Sequence, residues 1–508
     1  MNTEKTMAGQ LDGEISRRQF AAMASGLAAG AATLSAADGD WVNLFDGRNL
    51  KGWQESENKG SWKVADGCLI ADGPRSHLFY AGPVKGAAFK NFEFAAEVMT
   101  QPKSNSGIYF HTAFQAKGWP EKGFEVQINN TATGEGNYRE NKKTGSLYGV
   151  RNVYKTPAKD GEWCQVQVAV RQKNIQVRVN GMLVVDYTEP TQALTHPEGP
   201  GRVISSGTFA LQCHDRGSQS RYRNLRVRPL PDSTEQPATP AAATDETARA
   251  LFDLGARNYP LVDYHVHLKG GLDLKGALEL SRQTGIFYGI AVNCGKGFPV
   301  ENEAGAIAFK KSLEGAPVYA AMQAEGREWV DMFDRRTVGV FDYVFTDSMT
   351  WTDNRGRRMR TWMPAEVGTI GDPQEFMETL VSRAVGILER EPVDIYVNPT
   401  FVPDQIAKDY DKLWTDERIM KVVKAAKKGA VAIEINNRYR LPGLRFIQAA
   451  KAEGLKFSFG TNNTDAKLGR CEYGIEMVKQ CGLTWNDFFV PAAAGGRAID
   501  LKGSVLKS

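Results

Sequence analysis

Histidine is scarce in this chain: six residues in 508, two of which, His265 and His267, stand two positions apart. Charge of one sign is also lacking. With 63 Lys and Arg against 59 Asp and Glu, the formal net charge is +4, and neither sign forms a long run. That balance argues against a nucleic-acid partner or an anionic membrane surface. The six cysteines, Cys68, Cys164, Cys213, Cys294, Cys471 and Cys481, have no CxxC spacing, so neither a disulfide framework nor a zinc finger is indicated. Long apolar runs are missing too, and no segment reads as an integral membrane span. What is present is the composition of a soluble globular protein, 42% hydrophobic and 24% charged, with 51 glycines to supply turns. The length allows two to four domains.

Residues 1–37 read as an address. Ser16-Arg17-Arg18-Gln19-Phe20 precedes the Ala- and Gly-rich stretch from Ala21 to Ala32, and Ser35-Ala36-Ala37 offers small residues for cleavage. This resembles a twin-arginine signal, which implies export in the folded state to the periplasm or the extracellular space.

Two textures follow. Residues 38–230 read as all-β. Gln165–Arg171 and Ile175–Val179 alternate apolar with polar residues, Leu183–Asp186 follows, and Gln172-Lys173-Asn174 and Asn180-Gly181 supply the turns. Many short strands with Gly-rich turns indicate a β-sandwich or jelly roll. Residues 231–246, rich in Pro, Ala and Thr, read as a linker. In residues 247–508, helical stretches such as Leu274–Thr284, Gln374–Arg390, Asp416–Lys428 and Leu444–Glu453 alternate with short apolar runs. That alternation indicates a parallel (β/α) barrel.

In such a barrel the polar residues just past each strand form the mouth. Here they are Asp263, His265, His267, Asn293, Glu325, Asp347, Asn398, Glu434, Asn436, Asn462 and Asn463. Side chains i and i+2 on a strand share a face, so His265 and His267 converge. With Glu325 as third ligand and Asp347 as fourth, they could hold Zn²⁺, Mn²⁺ or Fe²⁺ and acidify a bound water. The competing reading is a pair of hydrogen-bonded structural histidines. Asn293, Asn398, Glu434, Asn436 and Asn462 complete the expected barrel pocket. Asp263-Tyr-His-Val-His267, Val431-Ala-Ile-Glu-Ile-Asn436 and Phe459-Gly-Thr-Asn-Asn463 with Lys467-Leu-Gly469 resemble the polymerase-and-histidinol-phosphatase (PHP) family of metal-dependent phosphoesterases. The resemblance implies a distorted (β/α) barrel of PHP type. The chain departs from that family in having no histidine after His267. It carries neutral amides, which are poorer ligands, at further ligand positions. A reduced single-metal site, or a barrel that binds a polar ligand without catalysis, is expected.

In the β half, Glu125 and Gln127 alternate with Phe124, Val126 and Ile128 and share one sheet face. Tyr109 and His111 are expected on the same face of a neighbouring strand, His214 at the end of another, and Tyr148 and Arg151 just after a Gly-rich turn. Trp119, in Gly-Trp-Pro, is either a pyranose-stacking residue or a packing residue. Glu125 could instead be neutralised by Arg151. Together they suggest a sugar groove with acid/base capability. The runs Asn43–Trp53, Ser104–Phe110, Gly123–Ile128, Gly145–Val150, Asn180–Asp186, Leu211–His214 and Tyr222–Asn224 resemble the 3-keto-disaccharide hydrolase domain family, a concanavalin-like jelly roll.

The resemblance implies oxidised glycosides as substrates. The C3 ketone of such a sugar acidifies the C2 proton, and the glycosidic bond breaks by elimination. Glu125, His111 and His214 are the expected catalytic groups. Gln127, Tyr148, Arg151, Tyr109 and Trp119 are the expected substrate-binding groups. The reading is therefore an exported multidomain hydrolase or lyase of keto-glycosides. Two readings compete with it. One is a glycan-binding sandwich on a catalytic barrel. The other is a non-catalytic partner of a sugar oxidoreductase.

Overall fold

The computed structural model describes residues 41–134, 138–197, 199–352 and 357–507. The twin-arginine stretch lies outside them. Two antiparallel sheets pack face to face in the N-terminal half. One has eight strands. The other has five, in the order Trp53–Glu55, Ser76–Tyr80, Thr208–Cys213, Asn105–Thr112, Phe124–Asn129. Period-2 patterning sets which face goes inward. Along Cys164–Arg171 buried and half-buried residues alternate without a break. The meander's turns are two-residue hairpins. Val179 pairs with Met182 across Asn180-Gly181, both at positive φ (49° and 80°), as a type I′ turn requires. Phe92, Phe94, Ile108, Phe110, Phe124, Val126, Leu78 and Leu211 fill the space between the sheets.

The Pro/Ala/Thr segment is docked rather than free. Ala242 N donates to Thr188 O at 2.9 Å and Thr188 Oγ1 to Thr239 O at 3.1 Å. The helix Glu246–Ala256, capped by Asp245 at Ala248 N, then leads into the second half.

There, seven parallel strands close a barrel: Val262–His267, Phe287–Cys294, Tyr319–Ala324, Tyr343–Thr346, Ile395–Tyr396, Ala432–Asn436 and Phe457–Gly460. Helices including Leu274–Thr284, Pro373–Arg390, Asp416–Gly429 and Leu444–Ala452 alternate with them. Residues such as Ile290, Met322, Val344 and Ile433 pack toward the helices. Tyr264, Phe287, Tyr319 and Tyr343 pack together and join the sandwich's cluster.

The strand that carries the two histidines breaks register between Asp263 and Val266. The alternation expected across Asp263, His265 and His267 is therefore reset. Asp263 turns to the backbone N–H groups of His265 (3.1 Å) and Thr461 (3.0 Å) and to the Thr461 hydroxyl. His265 lies against Phe345, ring centroids 4.6 Å apart.

The sandwich meets the barrel at the end where the strands begin. Tyr154 is the central contact: its hydroxyl donates to Tyr259 O at 3.1 Å and accepts from Leu261 N at 3.1 Å, and its carbonyl accepts from the Tyr319 hydroxyl at 2.9 Å. All six cysteines are free and buried. No helix among the described residues is long and apolar enough to cross a membrane.

Candidate functional site

Glu125 sits on the face of the five-stranded sheet turned away from the inter-sheet core. The register that pairs Tyr109 with Glu125 and places Gln212 two strands from it brings three polar side chains together. The Tyr109 hydroxyl donates to Glu125 Oε2 at 2.8 Å. The Gln212 amide donates to Glu125 Oε1 and to the Tyr109 oxygen, both at 3.0 Å. Gly107 makes room for the carboxylate, since a Cβ there would stand 2.4 Å from Glu125 Oε1. Burial pushes the Glu125 carboxyl up, opposed chiefly by the Arg202 guanidinium, which lies 4.0 Å from Oε2. Burial and the Glu125 charge hold the Tyr109 phenol well above its usual range, so it stays a donor.

The rim is aromatic. Trp119 is 42% exposed, lies edge-on to His77 (5.6 Å) and tilts against His214 (5.1 Å). The Arg75 guanidinium stacks on it at 5.0 Å. Glu57 ties this loop, accepting from Arg75 Nε at 2.6 Å and from Gly118 N at 3.1 Å. His214 pairs with Asp215 at 2.5 Å and stacks with Tyr138. Gln127 shares the floor and donates to Asn105 Oδ1 at 2.8 Å. Tyr148 lies beneath two cations, Lys142 Nζ at 4.3 Å and Arg202 at 5.3 Å from its ring centroid.

Two expected members of this site stand elsewhere. His111 has φ 55°, opposite a register break between Thr208 and Ala210, so it does not continue the alternation of its strand. Its ring packs on Phe92 and Phe110. Nε2 meets Lys90 O at 2.8 Å, and Nδ1 accepts from Ser205 N at 3.3 Å. It is a structural histidine. Arg151 is buried between the two halves. It donates to Val150 O (2.8 Å) and to Arg282 O and Gln283 O (both 3.1 Å), near the end of the helix Leu274–Thr284, and does not neutralise Glu125.

Sequence reasoning missed Arg202, Gln212, His77 and Lys142. Gln212 was within reach, because it alternates with Leu211 and Cys213 on a recognised strand. Arg202 and Lys142 come from loops, where no periodicity marks the direction of a side chain.

The barrel mouth does gather its expected pocket residues. His265 Nδ1 meets Glu434 Oε1 at 2.7 Å. Glu434 Oε2 accepts from Asn398 N (2.7 Å) and Asn436 Nδ2 (3.0 Å). Asn398 Oδ1 accepts from Asn436 (3.1 Å) and Asn462 (3.4 Å), while its amide donates to Asp347 Oδ2 at 3.2 Å. Asn293 donates to Glu325 Oε1 at 2.7 Å. His267 Nδ1 meets Ala291 O at 3.1 Å, and its ring lies 5.2 Å from that of His265. Burial, reinforced by Asp347, pushes the Glu325 carboxyl well above the usual carboxylate range, and burial raises Asp347 as well. Lys269 is lowered to about 8 by burial and by Arg438.

Both imidazoles have Nδ1 anchored and a buried Nε2 left over, as metal-bound histidines do. The anionic ligands do not join them. Among the described residues no three His, Cys, Asp or Glu side chains group closely enough to hold an ion. Asn293 and Thr350 donate to Glu325, and Asn398 and Met349 N donate to Asp347. As placed, the expected quartet His265, His267, Glu325 and Asp347 forms no such group.

No curated protein matches the chain. Solved structures similar to it include two proteins from Parabacteroides distasonis assigned as glycosyl hydrolases. One is 20% identical, with a TM-score of 0.33, covering 38% of this chain and 94% of that one. The other is 23% identical, with a TM-score of 0.30, covering 37% and 99%. A carbohydrate-binding module from Bacillus subtilis is 12% identical, with a TM-score of 0.24, covering 35% and 95%. The sandwich, at residues 40–228, matches the family model of the 3-keto-alpha-glucoside-1,2-lyase-like domain.

Proposed function

We propose that the Glu125 face of the sandwich cleaves 3-keto-glycosides by elimination. The observation that carries this reading is the Glu125 carboxylate itself, desolvated, held by Tyr109 and Gln212, and 4.0 Å from Arg202. A desolvated carboxylate with a raised pKa is a stronger base than one in water. In the proposed reaction Glu125 takes the C2 proton, and the electron pair passes into the C3 carbonyl as an enolate. Arg202 stabilises the oxygen on which charge develops. Collapse of the enolate restores the ketone, forms the C1–C2 double bond and breaks the bond from C1 to the glycosidic oxygen. His214, oriented by Asp215, gives that oxygen its proton. Water adding across C1–C2 completes a net hydrolysis. Trp119 at the rim offers a face to the sugar ring, with Gln127 and Tyr148 beside it.

Purified full chain given a 3-keto-glucoside in D₂O is expected to release aglycone and to leave one deuterium at C2. Replacing Glu125 by Gln is expected to lower kcat by about 10²- to 10⁴-fold. Unchanged turnover in that variant ends this reading. One observation favours a glycan-binding role instead: both oxygens of Glu125 already have protein partners. Binding of the keto-glucoside without turnover by the wild type would establish that role.

For the barrel we propose a site for a polar ligand held by amides and carboxyls, with no step through a metal. The proposal includes export, on the Arg17-Arg18 stretch, which the amino terminus of the mature protein tests. It also includes an oxidoreductase acting at C3 of the sugar upstream, since the substrate must be oxidised before elimination can occur.

A further inference from the structure

We infer that the second half of the chain contributes a positioning residue, Asn258, to the sandwich's site, through Lys142. The inference rests on the reading of the Glu125 cluster as a carbohydrate-cleaving site.

Lys142 is 1% exposed, and three groups account for its ammonium. Glu140 Oε1 lies 3.6 Å away, beyond hydrogen-bond length. The face of Tyr148 lies at 4.3 Å. The close acceptor is Asn258 Oδ1, at 2.7 Å. Asn258 follows the helix Glu246–Ala256 and precedes the first barrel strand, so it belongs to the other half. Its Nδ2 donates to Arg139 O, so one amide grips the Arg139–Lys142 loop at two points. That loop also carries Glu140, which accepts from the Tyr138 hydroxyl at 2.6 Å.

An amide suits this place because it offers a donor and an acceptor at once. Asn258 stands at φ 69°, a conformation Asn tolerates better than most residues. Burial lowers the pKa of Lys142, while Glu140 and Glu125 raise it. A buried ammonium deprived of its acceptor must move or lose its proton. Lys142 shares the Tyr148 ring with Arg202, and Arg202 flanks Glu125, so its displacement reaches the cation that faces the base.

The test uses the full chain and Asn258→Gly, which removes the amide yet keeps a residue at ease at positive φ. Asn258→Asp restores the acceptor alone. Two quantities are read: the pH profile of Lys142 acylation by trace acetic anhydride, followed by mass spectrometry, and kcat and KM on a 3-keto-glucoside. In Asn258→Gly, Lys142 is expected to be acylated about tenfold faster near neutral pH, because an ammonium without its acceptor gives up its proton more readily. The substitution is also expected to lower kcat by about tenfold with little change in KM. Asn258→Asp is expected to shift the acylation profile to higher pH and to recover part of kcat. An unchanged acylation profile in Asn258→Gly, or a changed profile with unchanged kcat, overturns the inference. If the wild type shows no turnover, the catalytic reading fails by itself, and the acylation ratio alone decides whether Asn258 holds Lys142.

Discussion

His77 shows how much one side chain can be set by its surroundings. It is fully buried on the Glu125 face, edge-on to Tyr109 and Trp119, and neither ring nitrogen has a partner among the described residues. Burial presses its pKa from 6.5 down to about 3. Below pH 6.5 the unfolded chain therefore binds a proton that the folded chain refuses. Stability from this group is complete above about 6.5 and is lost as pH falls toward about 3. Compared with His77→Phe, which cannot titrate, the wild type should lose urea-unfolding stability at up to about 1.4 kcal/mol per pH unit across that window. Parallel pH profiles for the two proteins would refute this. Neighbouring positions show where alternation stops informing. It correctly put Tyr109, Glu125 and Gln127 on one face, because their strands run in register. It misplaced His111, because a single positive φ re-aims a side chain and leaves no trace in apolar spacing. The barrel's carboxylates are a related case. Spacing brings His265 and His267 together, but which hydrogen bonds Glu325 and Asp347 accept is decided by distant strands.

At the scale of elements the sequence was far more legible. The helix Leu274–Thr284 ends as expected, with Gly285 at φ 80° as its cap. The hairpin at Asn180-Gly181 and the barrel strands are set by turn chemistry and by period, which are local signals. What locality does not reveal is how elements of one half serve those of the other. Arg151 sends its guanidinium to the carbonyls of Arg282 and Gln283, a cation near a helix C-terminus, while stacking on Tyr187 at 5.0 Å. Arg151→Met should fill much of the same volume but leave these buried acceptors without a donor. We expect a loss of about 1.5–3 kcal/mol in chemical denaturation, the range for hydrogen bonds to a charged group. A loss under about 0.5 kcal/mol, as at an ordinary surface position, would show that the contact is incidental.

For the whole molecule, residues 231–246 read as a linker between two textures, and the packing shows the two halves pressed against each other. The apolar cluster of the sandwich runs on without a break into Val262, Tyr264, Phe287, Tyr319 and Tyr343 of the barrel. Tyr154 ties the backbone at Tyr259 and Leu261, and Lys155 reaches Asp342 at 2.6 Å. Domains joined by small polar interfaces unfold separately, whereas a shared apolar core couples them. The chain should therefore unfold in one transition, with the calorimetric and van't Hoff enthalpies in agreement and far- and near-ultraviolet circular dichroism changing together. Tyr154→Ala would remove the ring between the halves together with its hydroxyl's bonds to Tyr259 O and Leu261 N. It should split that transition in two before it abolishes either half, because each half retains its own sheets. Two transitions in the wild type would mean that the interface contributes little. In that case Asn258 and Arg151 would be passengers on a loosely held surface, and the sandwich would have to work alone.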